Sequence, residues 1–211
     1  MKKIIYLLSF IFCVSFAYSQ QDTVKLSYDT LIINKAYKSY YSKKYEAPVA
    51  IVYTLYKGGG ECSRKGMNFT NDIKGLPTAT NKDYAMSGYD KGHMANAEDF
   101  AYDCNLEELT FRYYNCVPQN PELNRGPWKH YETLIRKLSQ NDTLQVLCYN
   151  EFDGKKNGNA SIPNKCYKFV FDKKTKQIMF AFYYTNNSSP NYTDLLDRLG
   201  KFYFILKLIE Q

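Results

Sequence analysis

The sequence predicts an α+β fold, and three observations predict it. The segment Pro48–Tyr56 (PVAIVYTLY) concentrates β-branched and aromatic residues and runs into Gly58-Gly59-Gly60, as a buried strand entering a loop does. Further along, Trp128, Tyr131, Leu134, Ile135 and Leu138 recur at helical spacing. Strand and helix signals then follow one another without the regular alternation that a doubly wound parallel sheet requires.

In chain order, Met1-Lys2-Lys3 is a basic start and Ile4 to Tyr18 is almost unbroken apolar sequence. Ala17 and Ser19 put small residues at the −3 and −1 positions before Gln20, so residues 1–19 read as a secretory signal peptide. The apolar run is shorter than the roughly 20 residues a spanning helix needs, and no stable membrane association is expected after cleavage. Residues 20–211 are of a size that one domain with its own core can use. No linker rich in Pro, Gly or Ser divides them, and no internal repeat is visible.

Residues 57–88 are loop-like, punctuated by glycine, asparagine and Pro77. Asn105–Arg112 has short helical character and Tyr113–Val117 reads as a short strand. Pro127 fits only the first turn of the helix that carries Trp128 to Leu138. Three more strands are expected at Leu144–Tyr149, Cys166–Phe171 and Ile178–Tyr184. Asp194–Leu199 reads as a closing helix, followed by the apolar stretch Phe202–Ile209.

The formal net charge is +7 and falls by two when Lys2 and Lys3 leave with the signal peptide. Basic pairs at Lys43-Lys44, Lys155-Lys156 and Lys173-Lys174 would suit a polyanion, though a solvated basic face explains charge alone. Most of the 21 tyrosines are expected in core and strand positions rather than as stacking platforms. Past the signal peptide remain Cys62, Cys104, Cys116, Cys148 and Cys166, an odd set in a compartment where disulfides form. Cys148 and Cys166 lie in two expected strands and are expected to bridge across a hairpin. Cys104 with Cys116 is a second candidate pair, which leaves Cys62 unpaired. A zinc site is disfavoured, since no C-x-x-C pair occurs and the chain holds only 2 histidines.

Two segments carry chemistry. One is Asp90-Lys91-Gly92-His93; the other runs Asn115-Cys116-Val117-Pro118-Gln119, Asn124-Arg125-Gly126-Pro127-Trp128 and on to Glu132. Together they resemble the DNA/RNA non-specific endonucleases, nucleases of the ββα-metal class related to endonuclease G. That family carries Asp-Arg-Gly-His, then Asn-x-x-Pro-Gln, then Asn-x-Gly-x-Trp with a glutamate four residues later. The likeness extends more loosely from about Ala47 to Phe204, through Phe69-Thr70-Asn71-Asp72.

The resemblance implies a ββα-metal nuclease fold, with a mixed, mainly antiparallel sheet and flanking helices. It also implies a secreted, sugar-non-specific endonuclease that hydrolyses phosphodiesters of DNA and RNA. His93 would be the general base, a role suited to a group titrating near neutrality. Asn124 would hold Mg²⁺, with Mn²⁺ able to substitute, at the scissile phosphate. Glu132, eight residues on, would project within about 80° of Asn124 on a helix and accept from the metal's waters. Asn115 would help hold the transition-state geometry, while Trp128 and Tyr131 would be core and His130 surface. Gly92 would let the backbone pass close to substrate or turn tightly.

The chain departs from the pattern at Lys91, where the family has arginine; the charge stays but the bidentate fork is lost. Arg64 is the nearest candidate for the arginine that precedes the family's aromatic-x-x-Asp segment. Asn96 stands where proline is common after the histidine. Set against the nuclease are two other readings: a nucleic-acid-binding protein on the same scaffold with weak or no catalysis, and an exported disulfide-bearing structural module.

Overall fold

The structure, a computed structural model, describes residues 26–197. The expected signal peptide and the apolar stretch Phe202–Ile209 lie outside the described residues, as does the end of the expected closing helix.

An antiparallel sheet of seven strands forms the body. Its strands are β1 (Thr30–Ile33), β2 (Lys38–Ser42), β3 (Ala47–Leu55), β6 (Leu144–Asn157), β7 (Ala160–Asp172), β8 (Ile178–Thr185) and β9 (Tyr192–Asp194), in that spatial order. Asp194 therefore ends a strand instead of opening a helix. A second, two-stranded ribbon pairs β4 (Asp90–His93) with β5 (Cys116–Gln119). The helices are short: α1 (Asn81–Tyr84), α2 (Cys104–Leu109), α3 (Pro121–Leu123) and α4 (Lys129–Leu138).

Burial on both faces explains why β3 and β6 read as continuous apolar runs. Ile51, Tyr53, Leu55, Val146 and Cys148 join the core on one face, together with Val117, Trp128 and Ile135 from the ribbon and α4. Ala50, Val52, Leu147 and Tyr149 join Tyr40, Phe169 and Phe171 on the other. The basic, tyrosine-rich stretch Lys35–Tyr45 supplies β2, with Tyr40 and Tyr41 fully buried.

The disulfide is Cys62–Cys104, and Cys116, Cys148 and Cys166 are buried free thiols. The sheet register rules out the hairpin bridge expected from sequence: Cys148 stands opposite Lys168 and Cys166 opposite Asn150. The two cysteines are therefore diagonal neighbours, farther apart than a directly opposed pair. Cys116 is turned toward the Tyr84 hydroxyl instead of Cys104. The Cys62–Cys104 bridge spans 42 residues and ties the long loop to the start of α2. Closing a loop of that length stabilises the fold by about 4 kcal/mol in a chain-entropy account.

Candidate active site

The β4–β5 ribbon and α4 converge on a cavity of about 560 Å³ that Arg64, Lys91, His93, Asn124 and Glu132 all line. Five of the six residues singled out in the sequence thus meet in one place. The sixth does not. Asn115 is fully buried, donates to the carbonyls of Ala95 and Thr110, and accepts from the Ala95 N–H. Its own carbonyl accepts from the Met94 N–H at 2.9 Å, so it fixes the backbone that follows His93 rather than facing the cavity.

His93 is held by rings. Phe69 and Phe111 each lie 4.8 Å from its centroid, one tilted and one edge-on. Nε2 is sealed without a hydrogen-bond partner, and the residue lines the cavity. Burial, with the Arg64 charge adding to it, pushes the imidazole down to about 3, so at neutral pH the ring is uncharged. Phe69 reaches the site because its loop is pinned to the segment before β5. Thr70 bridges Arg112, and Asp72 accepts from Arg112 at 2.9 Å and from the Tyr114 hydroxyl at 3.0 Å. Phe111 gave no signal in the sequence, being one aromatic among many.

Gly92 owes its place to packing. A Cβ there would fall 2.4 Å from Oε1 of Gln119 on the neighbouring strand, so β4 approaches β5 only if the residue is glycine. This differs from the close substrate approach or tight turn expected of it. Lys91, beside it, donates to the Asn81 side-chain oxygen and lies 5.5 Å over the Phe69 ring and 5.7 Å over the Tyr84 ring.

Asp90 is the residue the sequence reading passed over. Its carboxylate accepts from Asn124 Nδ2 at 2.9 Å and takes Arg125 through two bonds of 2.9 and 2.6 Å. Burial would raise this carboxyl, but the Arg125 and Asn124 hydrogen bonds win and hold it below its ordinary value. Asp90 thus holds the amide nitrogen of a residue that lines the cavity. The chain reaches α4 through a kink at Gly126 (φ −97°, ψ −112°) in the wide turn Asn124–Trp128, so Asn124 and Glu132 are not on one regular helix. They nonetheless line the same cavity.

Glu132 is buried, accepts from Asn96 Nδ2 at 2.5 Å, and lies 3.4 Å from Lys168 Nζ. Burial pushes its carboxyl up, and Lys168 partly offsets the rise. Lys168 is 1% exposed and packs 4.4 Å over the Trp128 ring. A lysine inside the apolar strand CYKFVF was the available sequence signal for it. Asn96, unexplained in the sequence, caps the 3₁₀ turn Ala97–Phe100 through Glu98 N–H and also accepts from Arg136. Arg64 gives Nε to Glu107 at 2.9 Å and one terminal nitrogen to Glu98 at 2.6 Å. The residue also lines the cavity.

Among the described residues no cluster of three or more His, Cys, Asp or Glu side chains could cage a metal ion. The oxygen donors lining the cavity include the Asn124 amide and the carboxylates of Glu132 and of Glu98, the last paired with Arg64. That set fits a hard divalent cation that keeps most of its waters, as Mg²⁺ does.

Lys91 offers a test of its own. Were the cavity to cleave phosphodiesters, as the resemblance of its motifs implies, Lys91→Ala would lower kcat/KM roughly 10-fold or more, and Lys91→Arg would match or exceed the parent. Equal rates for all three at one salt concentration would place Lys91 outside the machinery, as a surface pair worth about 0–1 kcal/mol.

A family model described as DNA/RNA non-specific endonuclease matches residues 18–199. The mitochondrial nuclease EXOG of Danio rerio is 41% identical over 83 residues, 38% of this chain and 24% of that protein. Human mitochondrial endonuclease G is 33% identical over 91 residues, covering 42% of this chain and 31% of its own. Human mitochondrial EXOG is 31% identical over 133 residues, 55% of this chain and 36% of that one. The matched region thus spans 24% to 36% of the length of these three relatives. A crystal structure of an EndoG/EndoGI complex superposes with a TM-score of 0.68 at 22% identity, over 77% of this chain and 76% of that one.

Proposed function

The chain belongs to the DNA/RNA non-specific endonuclease family and has the ββα-metal nuclease fold, and from that premise we propose that it is an exported, Mg²⁺-dependent endonuclease cleaving DNA and RNA. One observation carries the reading. An uncharged histidine, packed in one aromatic cluster with Phe69 and Phe111, shares a cavity with an asparagine whose amide Asp90 orients.

His93 acts as general base at Nδ1, taking the proton from the attacking water. Its ring is already deprotonated at neutral pH, and its packing against Phe69 and Phe111 limits its rotation. As water oxygen bonds to phosphorus, the bond from phosphorus to the 3′-oxygen breaks. Arg64 and Lys91 bring positive charge to the phosphate oxygens from two sides of the cavity. Asn124 would hold Mg²⁺ through its amide oxygen, and Glu132 would accept from the ion's waters. When bound, the ion neutralises charge on the scissile phosphate and the departing oxygen. Contacts to phosphate carry no base information, which supports indifference to sequence and sugar. The basic start and apolar run at residues 1–19 support export.

The test is nicking of supercoiled plasmid, with an RNA substrate in parallel, by the chain lacking residues 1–19. Both substrates should be cut in Mg²⁺ and spared in excess EDTA. Binding without cleavage in Mg²⁺ or Mn²⁺ would instead favour the nucleic-acid-binding protein that the Lys91 departure suggests. Undiminished cutting in EDTA would remove the metal.

A further inference from the structure

A second cavity lies apart from the one with the histidine. A groove of about 900 Å³ opens at the end of the sheet where β3, β6 and the β7–β8 turn meet the turn after β1. Five lysines line it and no carboxylate does, whereas Glu98 and Glu132 stand in the catalytic cavity. Lys35, Lys57, Lys173 and Lys176 are exposed, and among the described residues none is in an ion pair. Lys173 donates to the Thr54 hydroxyl at 2.9 Å, a neutral partner that leaves its charge uncompensated.

Two tyrosines line the same groove with much of their area open: Tyr56 at 49% and Tyr102 at 54%. Most tyrosines here are core residues, so two exposed rings beside exposed lysines are an exception, and Lys57 Nζ already lies 5.3 Å over the Tyr56 ring, as a cation on such a platform does. Lys57 and Lys176 also hold left-handed backbone conformations, at φ 48° and 62°, that a lysine adopts at a cost. They are two of the four non-glycine residues with positive φ among the described residues.

The groove adjoins the catalytic cavity through one short segment. Glu98 lines the cavity, while Phe100 and Tyr102 line the groove. Between them, Asp99 accepts from Tyr53 of the groove at 2.8 Å and from Arg136 of the cavity at 2.9 Å. One buried carboxylate therefore fixes both walls.

We propose that this groove is an exosite for single-stranded nucleic acid, the lysines tracking phosphates and Tyr56 and Tyr102 stacking bases of a strand whose other part lies in the catalytic cavity. The choice of polymer rests on the nuclease reading; the charge and the exposed rings do not. A positive groove with aromatic platforms is how single strands are held without sequence preference. A duplex, with its bases stacked inside, could use the lysines but not the rings.

The experiment compares the parent with Lys35→Gln/Lys57→Gln/Lys173→Gln and with Tyr56→Ala/Tyr102→Ala, all exposed positions. Affinity for a labelled oligothymidylate of about 20 nucleotides is read in EDTA against salt. Cleavage of long single-stranded DNA and of bis(p-nitrophenyl) phosphate is read in Mg²⁺. The lysine variant should lose about 2 from the slope of log affinity against log salt, three contacts at ~0.7 each. The tyrosine variant should bind the oligonucleotide on the order of tenfold more weakly per ring removed, and a duplex of the same length unchanged. Both should lose kcat/KM on the polymer and keep it on the small ester, which is too short to reach the groove.

Unchanged affinity and slope in both variants would overturn the exosite. Equal loss on duplex and single strand in the tyrosine variant would overturn the stacking assignment. Equal loss on the small ester would show that the substitutions act by distorting the catalytic cavity, which also overturns it. If the parent cleaves nothing, the nuclease reading fails while the binding arm still decides the groove.

Discussion

His93→Ala is expected to lower kcat/KM on DNA and RNA by roughly 10²–10⁴-fold, the range a general base typically contributes. Folding and nucleic-acid binding should stay near the parent's, since the ring makes no hydrogen bond through Nε2 and its phosphate-facing neighbours remain. His130→Ala is the internal control: that ring is exposed on α4, outside the cavity, and its loss should change little. A His93→Ala protein that nicks plasmid at the parental rate would falsify the assignment of the base. The depressed imidazole adds a pH signature. A base works when deprotonated, and burial keeps His93 so down to about pH 3, so the acid limb of kcat/KM should lie well below 6.5. Stability behaves differently over the same range. Between 6.5 and about 3 the unfolded chain binds a proton at this position that the folded chain refuses, so stability falls as pH falls through that window. Activity per folded molecule should therefore outlast resistance to heat on acidification. An acid limb centred near 6.5 would mean that the working ring is not desolvated as His93 is.

Asn124→Ala should remove turnover at ordinary Mg²⁺ concentrations, because the cavity offers no second amide oxygen oriented in the same way. The more informative variant is Asp90→Ala. Asp90 does not line the cavity with Asn124; it holds the amide nitrogen and, through Arg125, the turn that carries it. Partners that orient a metal ligand typically contribute 10–100-fold in affinity or activity. Asp90→Ala should thus raise the Mg²⁺ concentration for half-maximal rate by that factor and recover rate when Mg²⁺ is raised. Asn124→Ala should recover far less. Mg²⁺ titrations of cleavage by the two variants separate the roles. Identical midpoints for parent and Asp90→Ala would mean that Asn124 needs no orienting partner, and rapid turnover by Asn124→Ala would remove it as the ligand.

The strands legible in the sequence were those spelled by long apolar or aromatic runs. Pro48–Tyr56, Leu144–Tyr149, Cys166–Phe171 and Ile178–Tyr184 all fall within strands β3, β6, β7 and β8 or within one residue of them. The misses share a physical cause. Strand β2 is spelled with Lys, Ser and Tyr, whose polar ends hide a buried body, and β4 is too short and polar to show a period of two. The far end of β6 carries exposed polar residues held by pairing rather than burial, so that strand runs past its apolar part, while the start of β7 (Ala160–Pro163) is buried but too mixed in sequence to read as a strand. The disulfide was misassigned because spacing says nothing of register: the offset between Cys148 and Cys166 exists only in the folded sheet.

The sequence by itself determined the chemistry available: an α+β chain, one histidine inside an Asp-Lys-Gly-His run, and an asparagine and a glutamate at fixed spacing after it. Those follow from side-chain identity and local order, which need no partner. Only the tertiary structure decided which groups act on which. It turned Asn115 away from the cavity to brace the backbone behind His93. It set Phe69 and Phe111 on the imidazole, turned Asp90 onto Asn124, and placed Asn96 and Lys168 on Glu132. These contacts join residues tens of positions apart, and the low dielectric they share shifts each group's protonation. Burial of that kind belongs to the packed arrangement, so no reading of residues in order can supply it.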